Sequence, residues 1–333
     1  MLSIYHDICK SIYNGNSIVL ITVLNKEDAF RNFEPQMIVK DDFTTIGSLG
    51  GGLFEAIAIK MTKDVFETRE SIVTELDSDI SCGFVPEVML EYIDSTDEET
   101  LNYFSLIREN IEDNKNFVMI TTINEDQSLN REIIYEENYN SSDNFLREKM
   151  PAGSFSKLKF GVFKEDNNIT VVLPRQNREN AYIFGGGYIA QKLSKITSML
   201  DFNTIILDDR EEFANLERFP DADNIVVLKS FSNINQYINI DEKSYVIIVT
   251  RGHKDDTQVL GEVLRTNAKY IGMIGSRKKR NMAFKELMER GFKKEELNIV
   301  HAPIGLNING KTPEEITVSI AAELVKVRRD KNE

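Results

Sequence analysis

The sequence predicts an α/β protein: a Rossmann-type doubly wound parallel sheet in the carboxyl half, preceded by a separate amino-terminal α/β domain. Three observations carry this reading. From residue 181 onward, apolar runs at 182–184, 204–207, 225–228, 245–249 and 270–274 alternate with helical segments, the pattern of parallel strands with crossover helices. A glycine-rich turn, Gly185-Gly186-Gly187, joins the first of these strands to a helix. The chain has 333 residues, enough for two domains, and 41% of them are hydrophobic.

In chain order, residues 1–14 read as a helix with Ile4, Ile8 and Ile12 on one face. Residues 18–24 form a continuous apolar run suited to a strand buried on both faces. Residues 36–40 are a second strand. Glycines within 44–52 precede a helix carrying Leu53, Ile57 and Met61. Residues 71–76 and 88–92 are extended, with Ser81-Cys82-Gly83-Phe84 in a turn between them. Residues 97–114 form a helix with Leu101, Phe104, Ile107 and Ile111 inward, and 117–123 a strand. Residues 124–150, rich in Asn, Glu and Ser, read as a domain junction or surface excursion. The expected division is therefore a domain at 1–150, a connecting segment at 151–180 and a domain at 181–333, ending in a helix over 313–328.

The glycine turn has a physical logic. Gly185 takes a turn that a Cβ would obstruct, Gly187 lets the main chain approach a phosphate, and Ala190 lets the helix pack closely on the strand. The free amides and positive end of the helix, with Gly186 and Tyr188 in the same turn, then face an anion. The next strand ends on Asp208 and Asp209, and Asp208 lies 23 residues after Gly185, where an acid receives a ribose hydroxyl. An acid at that place favours NAD over a cofactor with a 2′-phosphate. The other reading is a Rossmann turn used only for packing.

Ligands of doubly wound sheets sit beyond the carboxyl ends of the strands. Thr250 and His253 follow the fourth strand, and His253 is placed to hydrogen-bond a ligand or exchange protons, or else to brace its loop. Gly275, Ser276 and Arg277 follow the fifth. Ser276 suits a helix N-cap and Arg277 suits a phosphate, within a run of four cations that is otherwise a solvated face. In the amino half, Gly50, Gly51 and Gly52 ahead of a helix make a second candidate anion cradle, with Glu55 in the first helical turn. Cys82 is the one cysteine placed for exposure, as a soft sulfur ligand or a core filler; Cys9 reads as core. Three histidines and two cysteines give no zinc-like spacing, so no protein-held metal is expected.

The net charge of −14 argues against a general nucleic-acid binder. Two cysteines give no disulfide framework, and no apolar run approaches a membrane span, so a cytoplasmic protein is expected.

Five pieces in order, IFGGGYIA, ILDDREEFANLERFPDA, VTRGHKDD, YIGMIGSRKKR and PIGLNINGKTPEEITVSIAAELV, closely resemble the XdhC/CoxI family over about residues 181–328. GSLGGGLFEA and SCGF extend the resemblance into the amino half. The family comprises accessory factors for molybdenum-cofactor enzymes such as xanthine dehydrogenase. The resemblance implies a maturation chaperone rather than a metabolic enzyme. It would bind molybdenum cofactor (molybdopterin, with or without an appended nucleotide), shield it while a terminal sulfur is installed, and deliver it to a molybdenum hydroxylase of the xanthine dehydrogenase type. A cysteine desulfurase as sulfur source and a homodimeric state belong to the same expectation. The chain departs from the family pattern at Leu53, where a cysteine is common, at Phe84 in the usual CGG, at Tyr188 for histidine, and at Asn307 and Asn309 in the GLDIGA stretch. Two other classes remain in view: an NAD-dependent oxidoreductase with His253 moving the proton, and an interaction module that docks a partner hydroxylase.

Overall fold

A computed structural model describes residues 4–24, 36–50, 52–76, 85–139, 148–149, 155 and 158–330. Gly51, Cys82 and the Ser81–Phe84 turn lie outside the described residues. The chain divides into two compact units, Leu2–Asn177 and Arg178–Glu333.

The amino unit holds two antiparallel sheets. The first has the order β3-β2-β1-β5-β4, built from β1 (Ile18–Val23), β2 (Gln36–Lys40), β3 (Thr45–Gly47), β4 (Ile72–Glu75) and β5 (Glu87–Ile93). Strand β1 is buried at every position because both its faces are covered, and its one polar residue, Thr22, accepts from Gln36 Nε2. Ile18 and Leu20 point to a core shared with helices α1 (Ile4–Tyr13) and α3 (Glu98–Glu112). Val19, Ile21 and Val23 point to a core under α2 (Leu53–Thr68). Asp97 caps α3, accepting from the amides of Glu99 and Thr100. Cys9 is buried and donates to the Phe104 carbonyl oxygen, as a core thiol.

The second sheet has the order β7-β6-β9-β8 and corrects the expected boundary. Strand β6 (Phe117–Ile123) pairs along its whole length with β7 (Leu129–Tyr135) on one side and β9 (Asn168–Arg175) on the other, with β8 (Gly161–Glu165) outside β9. Part of the expected surface excursion is thus β7, which turns Leu129, Ile133 and Tyr135 to the core shared with α1 and α3, and Ile134 on its other face to a second core. The segment expected to connect two domains contributes two strands to the amino unit.

A buried charge ties the two sheets of this unit together. Glu91 on β5 is 3% exposed and meets the Arg131 Nε of β7 at 2.7 Å. Arg131 also donates to the Thr100 Oγ1, and its guanidinium lies over the Tyr103 and Phe104 rings.

The carboxyl unit is the expected parallel sheet. Its order is β12-β11-β10-β13-β14, with β10 (Asn180–Phe184), β11 (Asn203–Asp208), β12 (Asn224–Val227), β13 (Ser244–Ile248) and β14 (Tyr270–Met273). Every pair is parallel. Helices α4 (Tyr188–Met199) and α8 (Pro313–Arg329) cover one face, sharing a core with Ala181, Ile183, Ile206 and Ile247. Helices α5 (His253–Val263), α6 (Arg277–Glu289) and α7 (Lys294–Leu297) lie on the core that holds Phe184, Leu207 and Ile248. The buried face of α4 is Ala190, Leu193, Ser194 and Thr197, three small residues beside one large aliphatic. Small residues bring the helix close enough for Thr197 Oγ1 to accept from Thr204 Oγ1 on β11. Thr312 and Glu315 form a reciprocal capping box at the start of α8, with proline at the first helical position. No helix among the described residues is long and apolar enough to cross a membrane.

Replacing Arg131 by Ala strands the Glu91 charge between the sheets. The expected cost is about 3–5 kcal/mol, read as a lower urea midpoint. A Glu91→Gln, Arg131→Met double variant recovers much of it, because no uncompensated charge remains.

Candidate functional site

Strand order reverses between β10 and β13, so the crevice of the carboxyl unit opens where these two strands end. Gly185 follows β10 with φ +110°, and a Cβ there would lie 2.5 Å from the Val249 carbonyl oxygen. The glycine is therefore set by close approach of the two strand ends. Gly187 and Gly252 follow as N-caps of α4 and α5, and neither helix start receives a side-chain cap. A Cβ at either glycine would meet nothing within 4 Å. Two helix starts whose first amides lack intrahelical partners thus open on adjacent strands, the arrangement that holds an anion.

The structure gives Asp208 a different role from the expected one. It is 1% exposed. Its Oδ2 accepts from the Gly186 amide at 2.7 Å and from Arg210 Nη2 at 3.0 Å. Its Oδ1 accepts from Arg210 Nε at 2.9 Å and from the Arg210 amide at 3.1 Å. Both oxygens are thus engaged by the protein, and none of this carboxylate is presented to a ribose. Burial raises its pKa, but the Arg210 guanidinium and the Gly186 amide outweigh burial and hold it below the usual carboxylate value. Of the turn amides, Gly185 donates to the Leu207 carbonyl oxygen and Gly186 to Asp208; the α4 start beyond Gly187 is the part left open.

The segment after β11 completes this packing. A Cβ on Gly186 would lie 2.4 Å from the Phe213 carbonyl oxygen. Arg218 donates to the Gly186 carbonyl oxygen at 3.1 Å, and Gln191 donates to the Arg218 carbonyl oxygen at 3.4 Å. The Arg210 guanidinium sits 3.6 Å from the centroid of the Phe213 ring, and that of Arg218 at 4.9 Å.

Asp209 accepts from Arg251 Nη2 at 2.9 Å, and Arg251 Nε bonds Asp255 at 3.1 Å. Tyr188 is 53% exposed and donates to Glu314 at 2.6 Å, linking the starts of α4 and α8 at the crevice rim. Thr250 donates through its amide and hydroxyl to Asp256, which is fully buried and also receives Lys279. Burial pushes the Asp256 carboxyl up, against the pull of Lys279 and Thr250. The His253 Nδ1 lies 3.5 Å from the Thr257 hydroxyl, and its Nε2 lies 4.0 Å from Glu286 on α6. At 4.0 Å the contact with Glu286 is longer than a hydrogen bond, and it sets the ring between the α5 start and α6.

After β14, Gly275 has φ +143° and the Lys279 side chain lies where its Cβ would be. Ser276 caps α6 by accepting from the Lys279 amide at 3.2 Å. The run of four cations is split: Arg277 and Lys278 are exposed, Lys279 turns in to Asp256, and Arg280 donates to the Ala302 carbonyl oxygen. In the amino unit, Gly50 and Gly52 have φ +101° and +79°. Glu55 folds back over that loop, accepting from the Leu49 amide at 2.9 Å and the Ser48 hydroxyl at 2.8 Å. A carboxylate thus takes an amide of the second candidate cradle.

Arg210, Arg218, Phe213 and Lys279 were not among the expected site residues. The one sequence signal for Arg210 was a cation two places after the acid. His301 also has a partner that its sequence context hid. Its Nδ1 lies 3.1 Å from Glu323, which further accepts from the Tyr270 hydroxyl and the Gly305 amide. Among the described residues, no group of three or more His, Cys, Asp or Glu side chains is placed to hold a metal.

Fold and site together define a protein with a Rossmann-type unit whose glycine turn is braced from within. The family models agree with that fold. One described as the XdhC Rossmann domain matches residues 181–324, and one described as the XdhC and CoxI family matches residues 12–77. The chain belongs to the XdhC/CoxI family. It is 22% identical over 330 residues to a Bacillus subtilis protein described as a probable xanthine dehydrogenase subunit, covering 93% of each chain. It is 27% identical over 153 residues to the uncharacterized protein YqeB of Escherichia coli, a match that covers 46% of this chain and 28% of that protein. A crystal structure described as a xanthine dehydrogenase from Bacillus halodurans superposes with TM-score 0.72 at 21% identity, covering 98% of this chain and 97% of that one. At that identity the likeness shows the fold.

Because the folded pKa of Asp208 lies below its unfolded value, the carboxylate stabilises the fold above about pH 3.9, and that contribution is lost as pH falls through the folded value. Asp208→Asn should lower stability at pH 7, with the gap to the parent narrowing on acidification below about pH 4. Urea unfolding as a function of pH measures this; a gap independent of pH overturns the assignment.

Proposed function

We propose that the protein is a maturation factor for a molybdenum hydroxylase of the xanthine dehydrogenase type. It binds molybdenum cofactor through the pterin phosphate and delivers it to the apo-enzyme, with a cysteine desulfurase as the sulfur source, in the cytoplasm. Support comes from membership of the XdhC/CoxI family and from the near full-length match to the Bacillus subtilis protein described as a probable xanthine dehydrogenase subunit. The observation that carries the binding mode is the pair of uncapped helix starts at Gly187 and Gly252, with open space at both glycines.

The fit is partial, and the mismatch is informative. A phosphate suits the open amides of α4 and α5. A ribose does not suit Asp208, whose oxygens already hold Arg210 and Gly186. When bound, the cofactor supplies the metal–dithiolene centre that the partner enzyme uses. The chain's own work is to grip the phosphate with main-chain amides at the α4 and α5 starts. Tyr188, fixed to Glu314, stands at the rim and orients what enters. Arg251 is held between Asp209 and Asp255 and fixes the loop that carries Gly252.

Gly187→Val tests this reading cleanly, since the backbone there is extended and nothing crowds the new side chain. The variant should fold as the parent does, bind molybdopterin at least tenfold more weakly and activate apo-hydroxylase correspondingly less. Wild-type affinity and activation in a folded Gly187→Val protein would remove this crevice from the binding mode.

A further inference from the structure

We infer that Arg210 is the specificity-determining residue of the Rossmann crevice: by holding Asp208, it closes the fingerprint to the ribose diol of NAD. The inference goes beyond cofactor delivery and does not depend on it.

In a dinucleotide site, the acid at the end of the second strand receives the two ribose hydroxyls. Here that acid has four donors already: the Gly186 amide, the Arg210 amide, and the Nε and Nη2 of Arg210. The two guanidinium bonds form a paired, charge-assisted contact on both carboxylate oxygens. Two neutral hydroxyls are weaker replacements, and an Asp208 stripped of Arg210 would remain a buried charge with less compensation. Arg210 in turn has a place prepared for it against the face of Phe213. The segment that carries Arg210 is itself fastened to the glycine turn. The Phe213 main chain closes on Gly186 so tightly that no Cβ fits between them, and Arg218 fastens the same segment to the Gly186 carbonyl oxygen. Access of a ribose to Asp208 therefore requires that Arg210 leave. Any ligand that binds only that opened state has its affinity reduced by the fraction of molecules that open. The open amides beyond Gly187 lie outside this brace, so an anion can still be held there.

The test is equilibrium titration of the purified full chain with NAD alone, so it is read independently of molybdenum-cofactor binding. The wild type should show no saturation below ~1 mM. Arg210→Ala frees Asp208 and should bind NAD at least tenfold more tightly than the parent. The Asp208→Asn, Arg210→Ala double variant removes the hydroxyl acceptor and should lose that gain. Circular dichroism reports whether each variant is folded. Should Arg210→Ala not fold, Arg210→Lys serves in its place: it keeps a cation but not the paired bonds, and a gain of at least threefold is expected. Wild-type protein that saturates with NAD at micromolar concentration overturns the inference whatever the variants do. So does a folded Arg210→Ala or Arg210→Lys protein with no gain in NAD binding.

Discussion

The carboxyl unit depends on one buried carboxylate. Asp208 ends β11 where the strand, the glycine turn and the segment after β11 converge, and it bonds all three at once. Without it the Gly186 amide and the partly exposed Arg210 guanidinium would lose their shared acceptor. An unmet buried donor costs about 1–3 kcal/mol and a buried charge more. The same interaction that fixes the turn also consumes the atoms that a nucleotide fold normally offers to a ribose. The contact that stabilises the turn is thus the one on which the inference about ligand choice rests.

The pattern recurs across the molecule. Glu55 draws in the glycine loop before α2, Asp256 joins Thr250 to Lys279, and Glu323 gathers Tyr270, His301 and the Gly305 amide. Each is an acidic side chain that satisfies loop amides or cations near the end of an element. In the protein's acidic composition these carboxylates are internal fasteners, and the open polar surface at the switch point is main-chain amide. A phosphate-bearing ligand suits such a surface, since amides supply donors and partial positive charge without a side chain that could be titrated away.

Much of the architecture was legible in the residues. Continuous apolar runs placed the parallel strands of the carboxyl unit, because strands buried on both faces, as β10, β11, β13 and β14 are, carry apolar residues without alternation. The start of α8 was visible as the capping box Thr312-Pro313-Glu314-Glu315, whereas the cap of α3 by Asp97 appeared only in the structure. Strand β7 was hidden because Asn130, Arg131 and Glu132 interrupt its apolar residues, and Arg131 is inward only through its pairing with Glu91. The domain boundary was misplaced for a related reason: β8 and β9 belong to the amino unit through pairing with β6, and pairing partners distant in sequence leave no local mark.

The sequence by itself determined the fold class, the family and the position of the glycine turn. These rest on local chemistry: which residues tolerate a tight bend, which faces are apolar, and where a helix starts. Only the tertiary structure decided what Asp208 does. The residue is where a ribose acceptor belongs, yet its hydrogen bonds are satisfied by Arg210 and Gly186. A carboxylate has a fixed number of acceptor sites, and spacing along a chain cannot show which donors reach them first.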